Sequence, residues 1–572
     1  MGLTSSSAGA REQLALAILF SSAFCVLAFF AATAVAANVG LDTGIISAYS
    51  VTFLLFFAQD RAVAVLFIAV LSLSIVFFNF GSHDRGTAVG RASLWARLPI
   101  SLLCAAAFVL AWAAAIWIHH AFDMSLDEFV TAFQARIFLK GKLLAELSPT
   151  QFENSDSLQP FFLYRDAAHH LWASGYRPVF SAFRALFGLF GADRLLNPAF
   201  AALSVWAIAD ISKRSFPDVP EAPVLSALLL LLSPQFLLTA ASGFSFSAHL
   251  ALNLLWLALF LRGSLPAHWL AAGVGFLATG LHQVTFHPLF AAPFLLALLL
   301  GRFGRRTALI PYIVAYSVAL PLWILWPEIS VWLQTGDAGV LPHRLADVAY
   351  FQSYTGYMTA NAEGISDNAT ALTLTNIFRF FLWLSPAVLP LSLVAFVRHR
   401  TLGLVPALCG VSVVMAIVAA HVLLPNQMHT WGSRYYHPVL GCMVIFAVAG
   451  YRALRQQMEL RSLQTGVGFL LIVSAAVLLP WRAVQVEAKV GPRAQVQKKI
   501  EALDADFVVL GDGLWFANDY IRNDPFLVNR PLIANSAMLK RSALAGKKVI
   551  VLNQRDLNQM GLPRATLLEP GQ

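Results

Sequence analysis

Residues 97–128 read RLPISLLCAAAFVLAWAAAIWIHHAFDMSLDE, an apolar run that ends in an acidic segment. The run at 97–118 is long enough to cross a bilayer as a helix, which takes roughly 20 apolar residues. A long, more polar stretch follows it and extends to residue 194. This succession of a membrane span and a large loop predicts a membrane protein.

The composition extends this pattern to the whole chain. Of its 572 residues, 58% are hydrophobic and 12% are charged, whereas soluble domains have roughly 45–50% apolar and 25% charged residues. The formal net charge of +9 comes mostly from arginines between apolar runs, where the orientation signals of membrane proteins lie. These features exclude an ordinary soluble protein and argue against nucleic acid as a partner.

The spans are predicted from apolar runs that recur along most of the chain. Because some runs are short and others nearly contiguous, about 11 to 14 transmembrane helices are expected. The candidate runs cover residues 12–36, 43–58, 61–80, 97–118, 195–212, 223–241, 245–261, 266–281, 284–300, 307–326, 376–397, 402–423, 432–450 and 464–481. The predicted fold class is an all-α polytopic membrane protein.

Basic residues between the runs predict the orientation, because arginine and lysine accumulate in cytoplasmic loops. They occupy alternate connections here, at Lys213, Arg214, Arg262, Arg302, Arg305, Arg306, Arg398, Arg400, Arg452, Arg455 and Arg461. The loops 119–194 and 327–375 then face the opposite side, which in a bacterial inner membrane is the periplasm. Arg85 and Arg91 place Met1 outside, against the usual bias, so the topology of the first three spans stays open.

The tail changes character after the last span. Polar and charged residues interrupt short apolar runs at 507–510 and 549–552, a pattern typical of strands in a small α/β domain. The chain is therefore divided into additional N-terminal spans at 1–96, a membrane module at 97–482 and a small periplasmic α/β domain at 483–572.

Asp127 and Glu128 begin the large loop and admit two interpretations. Ser125 followed by Glu128 is a capping box, and an acidic residue at 127 suits the positive end of a helix dipole. The same carboxylates, at the outer end of a span, are placed to take a proton from an acceptor hydroxyl. From these residues alone the structural interpretation is at least as well supported. The apolar spacing from 129 to 144 predicts a helix lying in the membrane interface.

Other polar residues also gather on the predicted outer face, whereas the span centres contain few ionisable side chains. His282 and His287 lie in one turn between two apolar runs, where an interfacial and a functional role are equally supported. Arg434 and Tyr435 open a late span, where an arginine is a snorkelling residue of an aromatic belt or a bidentate phosphate ligand. This distribution favours a function at the membrane surface over transport through the bilayer.

Several short motifs occur in an order that resembles the GT-C glycosyltransferases, a superfamily that includes protein O-mannosyltransferases and aminoarabinose transferases. The acidic pair at 127–128 and the ARIFLKGKL segment at 135–143 resemble the family's first large periplasmic loop. Tyr176-Arg177-Pro178 is similar to a Tyr-Pro-Pro-Gly segment of family-39-like members, from which Arg177 and Val179 depart. Gly432-Ser433-Arg434-Tyr435 is similar to a Gly-x-Arg-Tyr motif that opens a late span.

The resemblance implies a glycosyltransferase that moves a hexose or pentose from a polyprenyl monophosphate to a hydroxyl of a glycan, lipid or protein, with inversion, at the periplasmic face. It implies that Asp127 is the base and that Glu128 is an orienting or metal-binding carboxylate. The residues implied to bind the substrates, with Arg434 on the donor phosphate, are His282, His287, Arg434, Tyr435, Asp166 and Arg177. No cofactor is required, although the acidic pair allows a divalent metal, Mg²⁺ or Mn²⁺.

Two other classes stay open. A transporter or flippase for lipid-linked glycans would need a polar route through the bilayer, and the scarcity of charged residues in the spans counts against it. An O-antigen ligase or polymerase shares the polyprenyl lipid but uses a pyrophosphate-linked donor, and it would not need the acidic pair. Convergence of Asp127, His282 and Arg434 on one cavity would favour the glycosyltransferase over both of these alternatives.

Overall fold

Most of the apolar runs form helices. A computed structural model describes residues 2–38, 48–79, 94–159, 161–339, 369–427, 429–511 and 517–562. Within these ranges, eight helices are long and apolar enough to cross a membrane, and a bent helix pair raises the number to nine. The expected polytopic helical class, with a small sheet near the C terminus, is confirmed.

The helices of the bundle come in two groups along the chain. The first group is α1 (Gly2–Asn38), α2 (Ala48–Leu55), α3 (Arg61–Asn79) and α4 (Ile100–Trp117). The second group is α9 (Leu196–Ser215), α10 (Ala222–Leu231), α11 (Pro234–Ala240), α12 (Phe246–Phe260), α13 (Leu265–Thr279), α14 (Phe286–Leu299), α15 (Ile310–Ile324), α17 (Ala369–Leu382), α18 (Val388–Val397), α19 (Leu404–Leu423), α20 (Leu440–Arg455), α21 (Leu460–Val473) and α22 (Leu479–Glu501).

One expectation about the spans is wrong. The described parts of the runs at 43–58 and 61–80 are not separate spans, because they are joined in a single membrane helix, Val51–Asn79. In it, α2 and α3 are joined without a break through a π-helical turn, Phe56–Asp60. The polar residues at the end of this turn suggested a loop between two spans, but the helix continues through them.

A buried ion cluster explains why the helix continues. Asp60 is fully buried, and its carboxylate oxygens lie 3.0 Å from Arg379 Nε and 2.8 Å from Arg482 Nη2. These partners come from α17 and α22, so three helices share the cluster. Because a charge in a membrane bundle is tolerated when it is paired, Asp60 does not end the span. The helices therefore contain more buried charge than the sequence predicts.

Several other predicted spans are shorter than a full crossing. α10 and α11 form one pair bent by 64°, and the break precedes Pro234, whose ring disrupts the helical hydrogen-bond ladder. α12, α13, α14, α17 and α18 have only 10–17 residues each. The bundle thus combines full-length helices with shorter apolar ones.

The residues between α4 and α9 fold into a polar unit at one end of the bundle. It contains α5 (Leu126–Leu139), β1 (Ala145–Glu146), α6 (Pro149–Glu153), α7 (Ser155–Leu158), β2 (Leu163–Asp166), β3 (Leu171–Ser174) and α8 (Pro178–Gly188). The strands are antiparallel in the order β1-β3-β2. A further helix, α16 (Trp326–Thr335), joins the unit because Gln334 Oε1 accepts from the backbone N–H groups of Leu143 and Leu144 at 2.9 and 2.8 Å.

The expected position of α5 in the membrane interface is not observed. Phe133 and Ile137 on its apolar face are fully buried. The Phe133 ring lies 5.3 Å from the ring of Trp172, and the same core includes Leu527 and Leu532 of the tail. Because the tail covers this face, the amphipathic pattern of α5 reflects packing inside the protein.

The tail forms a small α/β unit. α22 leads from the bundle into a parallel sheet of β4 (Phe507–Leu510), β5 (Leu532–Asn535) and β6 (Val549–Leu552), in the order β5-β4-β6, followed by α23 (Gln554–Gln559). The strands expected at 507–510 and 549–552 are confirmed, and β5 is an addition. The boundary expected after residue 482 falls inside α22, so a continuous helix joins the bundle to the tail.

Candidate functional site

Asp127 lies in the first turn of α5, directly after the N-cap residue Ser125 and Leu126. Its Oδ2 accepts a hydrogen bond from Arg434 Nη1 at 2.9 Å, and its Oδ1 accepts one from the Tyr176 hydroxyl. The Asp127 side chain is 15% exposed and that of Arg434 is 7% exposed. The structure therefore brings together the first acidic residue of the loop and the arginine of the late span.

Glu128 points away from this pair and binds backbone instead. Its Oε2 accepts from the Ser125 N–H at 3.0 Å, which completes the capping box, and its Oε1 accepts from the Gly243 N–H at 2.8 Å. A Cβ on residue 243 would overlap Asp123 Oδ1, so the close approach requires glycine. Burial, together with the charge of Asp123, raises the pKa of Glu128 to about 7. Glu128 therefore holds the start of α5 against the loop between α11 and α12.

Arg434 begins a 3-10 turn, Arg434–Val439, that leads into α20. Its Nη2 donates to the Tyr435 hydroxyl at 2.8 Å. The guanidinium carbon lies 4.8 Å from the ring centre of Tyr435 and 6.0 Å from that of Phe246. The Arg434 guanidinium is thus packed on aromatic rings, and its Nη1 donates to a carboxylate. This arrangement suits an arginine that presents its N–H donors to an anion.

The glycine before Arg434 has a structural reason. Gly432 has a φ of 70°, in the left-handed region that favours glycine, and a Cβ there would overlap Gln235. Gln235 Nε2 donates to the Ser433 carbonyl at 2.6 Å. The Gly-Ser-Arg-Tyr segment is therefore fixed to α11 by its backbone, and this attachment sets the direction of Arg434.

His282 joins the cluster from the turn between α13 and α14. Its ring centre lies 4.2 Å from that of Tyr176. Burial lowers the pKa of His282 to about 4; Asp127 opposes this shift, and the charges of Arg434 and Arg177 add to it. The imidazole is therefore neutral at neutral pH, and its Nδ1 has no hydrogen-bond partner within the described ranges. Arg177 lies near His282, at the N-cap of α8.

The charge state of Asp127 follows from its neighbours. Burial alone would raise the pKa of Asp127, but the Arg434 charge and the hydrogen bonds from Tyr176 and Arg434 outweigh it and hold the pKa below its ordinary value. Burial and the nearby carboxylate raise the pKa of Tyr176 well above its ordinary value, so its hydroxyl stays protonated and donates. Asp127 is therefore an ionised hydrogen-bond acceptor in this state.

His287 does not reach this cluster, contrary to expectation. It is fully buried, with Nδ1 2.8 Å from Asn253 Oδ1 and Nε2 2.7 Å from the Tyr316 hydroxyl. Asn253 Nδ2 donates to the Pro438 carbonyl at 3.1 Å; Asn253 Oδ1 is therefore an acceptor, and the His287 Nδ1–H must donate to it. This chain of hydrogen bonds runs from α15 to the turn that carries Arg434, so His287 supports the turn without lining the site.

Asp166 is also absent from the Asp127 cluster. It ends β2, and its Oδ2 accepts from the His169 N–H at 3.1 Å and lies 2.6 Å from His169 Nδ1. His169 lines a separate cavity of about 640 Å³ with Lys142 and Glu146, and neither Asp127 nor Arg434 is among its lining residues. The expected role of Asp166 in substrate binding at the acidic pair is therefore not supported by its position.

An apolar crevice reaches the cluster from the side of the helix bundle. It lies between α14 and α19, and its lining includes Phe286, Leu289, Phe290, Leu423, Tyr435 and Val439. Tyr435 is also the residue whose hydroxyl accepts from Arg434. Tyr435 is therefore shared by the crevice and by the contacts of Arg434.

The acidic pair does not fit a metal site in this arrangement. The oxygens of Asp127 accept from Tyr176 and Arg434, and those of Glu128 accept from backbone N–H groups. Within the described ranges, no group of three or more His, Cys, Asp or Glu side chains is placed to hold a metal ion.

Two contributors to the site were not predicted from the sequence. Tyr176 falls in a segment whose polar residues predict a solvated loop, and Asp519 lies in the tail. Asp519 Oδ1 accepts from the Leu126 N–H at 3.1 Å, next to Asp127. Tyr176 belongs to the segment that is similar to the Tyr-Pro-Pro-Gly motif, but the sequence assigns it no role. Asp519 carries no local motif, because it acts through a contact with a distant part of the chain.

Solved structures of two other proteins are similar to the chain. ArnT from Cupriavidus metallidurans, bound to undecaprenyl phosphate, is 14% identical, with 75% of this chain and 84% of that chain covered and a TM-score of 0.46. The Archaeoglobus fulgidus oligosaccharyltransferase tethered with an acceptor peptide is 12% identical, with 76% and 64% covered and a TM-score of 0.46. No family model and no curated protein matches the chain in sequence. Its function is therefore inferred from the geometry of the Asp127 cluster.

Proposed function

We propose that this protein is a GT-C-like membrane glycosyltransferase that moves a hexose or pentose from a polyprenyl monophosphate to a hydroxyl of a glycan, lipid or protein, with inversion. The observation that carries the proposal is the contact between Asp127 and Arg434, beside an apolar crevice whose lining includes Tyr435. It combines a carboxylate able to act as base, a cation able to hold a phosphate and an apolar path for a lipid.

The donor would bind with its phosphate at Arg434 and its prenyl chain along the crevice. The planar guanidinium can hold two phosphate oxygens at once, and Tyr435 lies between this cation and the apolar lining. His282, neutral and close to Tyr176, offers a further hydrogen bond without adding charge. Electrostatic stabilisation of the departing lipid phosphate falls to Arg434.

The acceptor would react next to Asp127. Its hydroxyl oxygen forms a bond to the anomeric carbon as the bond from that carbon to the phosphate oxygen breaks, and Asp127 takes the hydroxyl proton. A phosphate bound at Arg434 offsets the charge that now lowers the pKa of Asp127, so donor binding makes this carboxylate a better base. A single displacement of this kind inverts the anomeric configuration.

The buried charges in the bundle do not supply a transport route. Asp60 is paired with both Arg379 and Arg482, and all three side chains are fully buried. Pairing of this kind joins helices. The concentration of polar contacts at Asp127 instead supports chemistry at one end of the bundle, which we place on the periplasmic side of a bacterial inner membrane.

Tyr176→Phe is expected to move the acidic limb of the pH profile for sugar transfer to higher pH. The substitution removes a hydrogen bond that stabilises the Asp127 carboxylate, so the pKa of Asp127 rises and the inactive protonated form persists to higher pH. The measurement is the transfer rate between pH 3 and pH 8 for both proteins.

Tyr451→Phe is the matched control for this prediction. It also removes a hydrogen bond from a tyrosine hydroxyl to a carboxylate, at 3.0 Å from Glu221 Oε1, but its partner is not part of the Asp127 cluster. Its acidic limb should coincide with that of the wild type. A Tyr176→Phe profile that also coincides would show that the hydroxyl does not tune the base.

The proposed function is tested with purified protein and radiolabelled donors. Undecaprenyl monophosphates and pyrophosphates carrying different hexoses and pentoses are incubated with envelope glycan, lipid and peptide acceptors, with the protein in detergent and in sealed vesicles. Transferred label, released undecaprenyl phosphate and the side of the vesicle membrane that holds the donor are measured. Release of the lipid phosphate with transfer of label from at least one donor is expected. Transfer only from pyrophosphate-linked donors would identify a ligase, and movement of intact donor across a bilayer would identify a flippase.

A further inference from the structure

The tail packs directly against the helix that carries Asp127. Leu527 and Leu532 of the tail share a buried core with Phe129 and Phe133 of α5. Trp172 Nε1 from the adjoining sheet donates to the Pro525 carbonyl at 2.7 Å. These apolar contacts and this hydrogen bond join the tail and the polar unit into one packed body.

Arg522 extends this contact toward the start of α5. Its guanidinium carbon lies 4.2 Å from the ring centre of Phe122 and 5.4 Å from that of Phe129, and its Nε donates to the Asp519 carbonyl at 2.9 Å. Phe122 and Phe129 flank the acidic pair in sequence. The cation–π contacts therefore place the 3-10 turn Ala517–Tyr520 beside the first turn of α5.

The Asp519 carboxylate hydrogen-bonds one segment of the site and lies near the other. Its Oδ1 accepts from the Leu126 N–H at 3.1 Å, and its Oδ2 lies 3.7 Å from His429 Nε2. Leu126 directly precedes Asp127, and His429 lies in the segment that leads to Arg434. The Asp519 side chain is 15% exposed, so water competes little with these partners.

We propose that Asp519 is a positioning residue that sets the placement of Asp127 relative to Arg434, so that the tail is part of the catalytic unit. The inference rests on the proposed function only where it is tested by kcat and the donor KM. The first N–H groups of a helix have no partner within the helix, and a carboxylate at that end satisfies one of them and interacts favourably with the helix dipole. Here the carboxylate comes from a part of the chain far away in sequence.

Removal of this carboxylate is expected to loosen the first turn of α5. Asp519→Ala leaves the Leu126 N–H without its acceptor, whereas Asp519→Asn keeps an oxygen acceptor and loses the charge. A displacement of a catalytic group by about 1 Å can cost on the order of 100-fold in rate. We therefore expect kcat to fall by about 10- to 100-fold in Asp519→Ala, with a smaller loss in Asp519→Asn.

The experiment measures kcat, the donor KM and backbone hydrogen exchange in the full-length protein. In Asp519→Ala, exchange of the amides at 126–129 should accelerate and kcat should fall. The donor KM should stay within about twofold, because the contact of Arg434 with Tyr435 and the attachment of its segment to α11 do not involve Asp519. Asp504→Asn is the matched control, because it neutralises a carboxylate of the same tail that is 97% exposed and pairs with Lys548 on the surface. It should behave as the wild type.

Unchanged kcat and unchanged exchange at 126–129 in Asp519→Ala would overturn the inference. Equal losses in Asp519→Ala and Asp504→Asn would also overturn it, because the tail would then act only through its general stability. If Asp519→Ala does not fold, Asp519→Asn decides the question by the same two readouts. If the wild type transfers no sugar, the proposed function fails, while the exchange measurement still decides whether Asp519 orders α5.

Discussion

Asp127→Asn is expected to lose sugar transfer while it keeps its fold and its affinity for the donor. The amide retains the shape of the side chain and can still accept one hydrogen bond, but it cannot take the proton of the acceptor hydroxyl. A positioned general base contributes about 10²–10⁴-fold in rate, so kcat should fall by that factor. The measurements are kcat with saturating donor and the dissociation constant of undecaprenyl phosphate.

Ser125→Ala distinguishes a catalytic role of Asp127 from a structural role at the start of α5. The substitution removes the Ser125 hydroxyl from the capping box while both carboxylates remain. A lost cap costs roughly 0.5–2 kcal/mol of stability, which should leave most of the activity in place. Near wild-type turnover in Asp127→Asn together with a large loss in Ser125→Ala would show that the acidic pair is structural and that the base lies elsewhere.

Arg434→Ala is expected to weaken the binding of undecaprenyl phosphate by about 10- to 100-fold, because hydrogen bonds to charged groups contribute roughly 1.5–3 kcal/mol. Arg434→Lys keeps a positive charge but loses the planar fork, so its affinity should lie between those of the wild type and Arg434→Ala. Binding is measured by calorimetry in detergent, where no acceptor or sugar is needed.

Arg214→Ala serves as the control for the loss of a cation. Arg214 on α9 forms its own fork with Asp210, at 2.9 and 3.2 Å, on an exposed surface. Its removal should leave the affinity for undecaprenyl phosphate unchanged. If Arg434→Ala binds as tightly as Arg214→Ala, the phosphate lies elsewhere.

Local patterns in the sequence predicted most of the helices and the start of α5, which carries the acidic pair. The capping box at Ser125 and Glu128 is formed, and Asp127 meets Arg434. The capping box follows from the spacing of two residues, whereas the pairing of an acidic residue at 127 with an arginine at 434 was suggested by the family resemblance.

The other features of the bundle and of the site depend on contacts between residues that are distant in sequence. The apolar runs at 43–58 and 61–80 predict a break near Asp60. The helix continues there because Asp60 pairs with Arg379 and Arg482, which only the packing of three helices brings together. His287 shares a turn with His282, but its side chain bonds to Asn253 and Tyr316 inside the bundle. Which way a side chain points from a helix end depends on its neighbours, and these are absent from the local pattern.

The central claim is that one carboxylate, Asp127, drives a single displacement beside a phosphate held by Arg434. The most direct measurement is the anomeric configuration of the transferred sugar, determined by nuclear magnetic resonance on the product made by the purified protein from a donor of known configuration. The proposed mechanism predicts inversion, because in it Asp127 acts as base and forms no bond to the sugar. Retention would require a covalent intermediate or a second displacement and would contradict this mechanism.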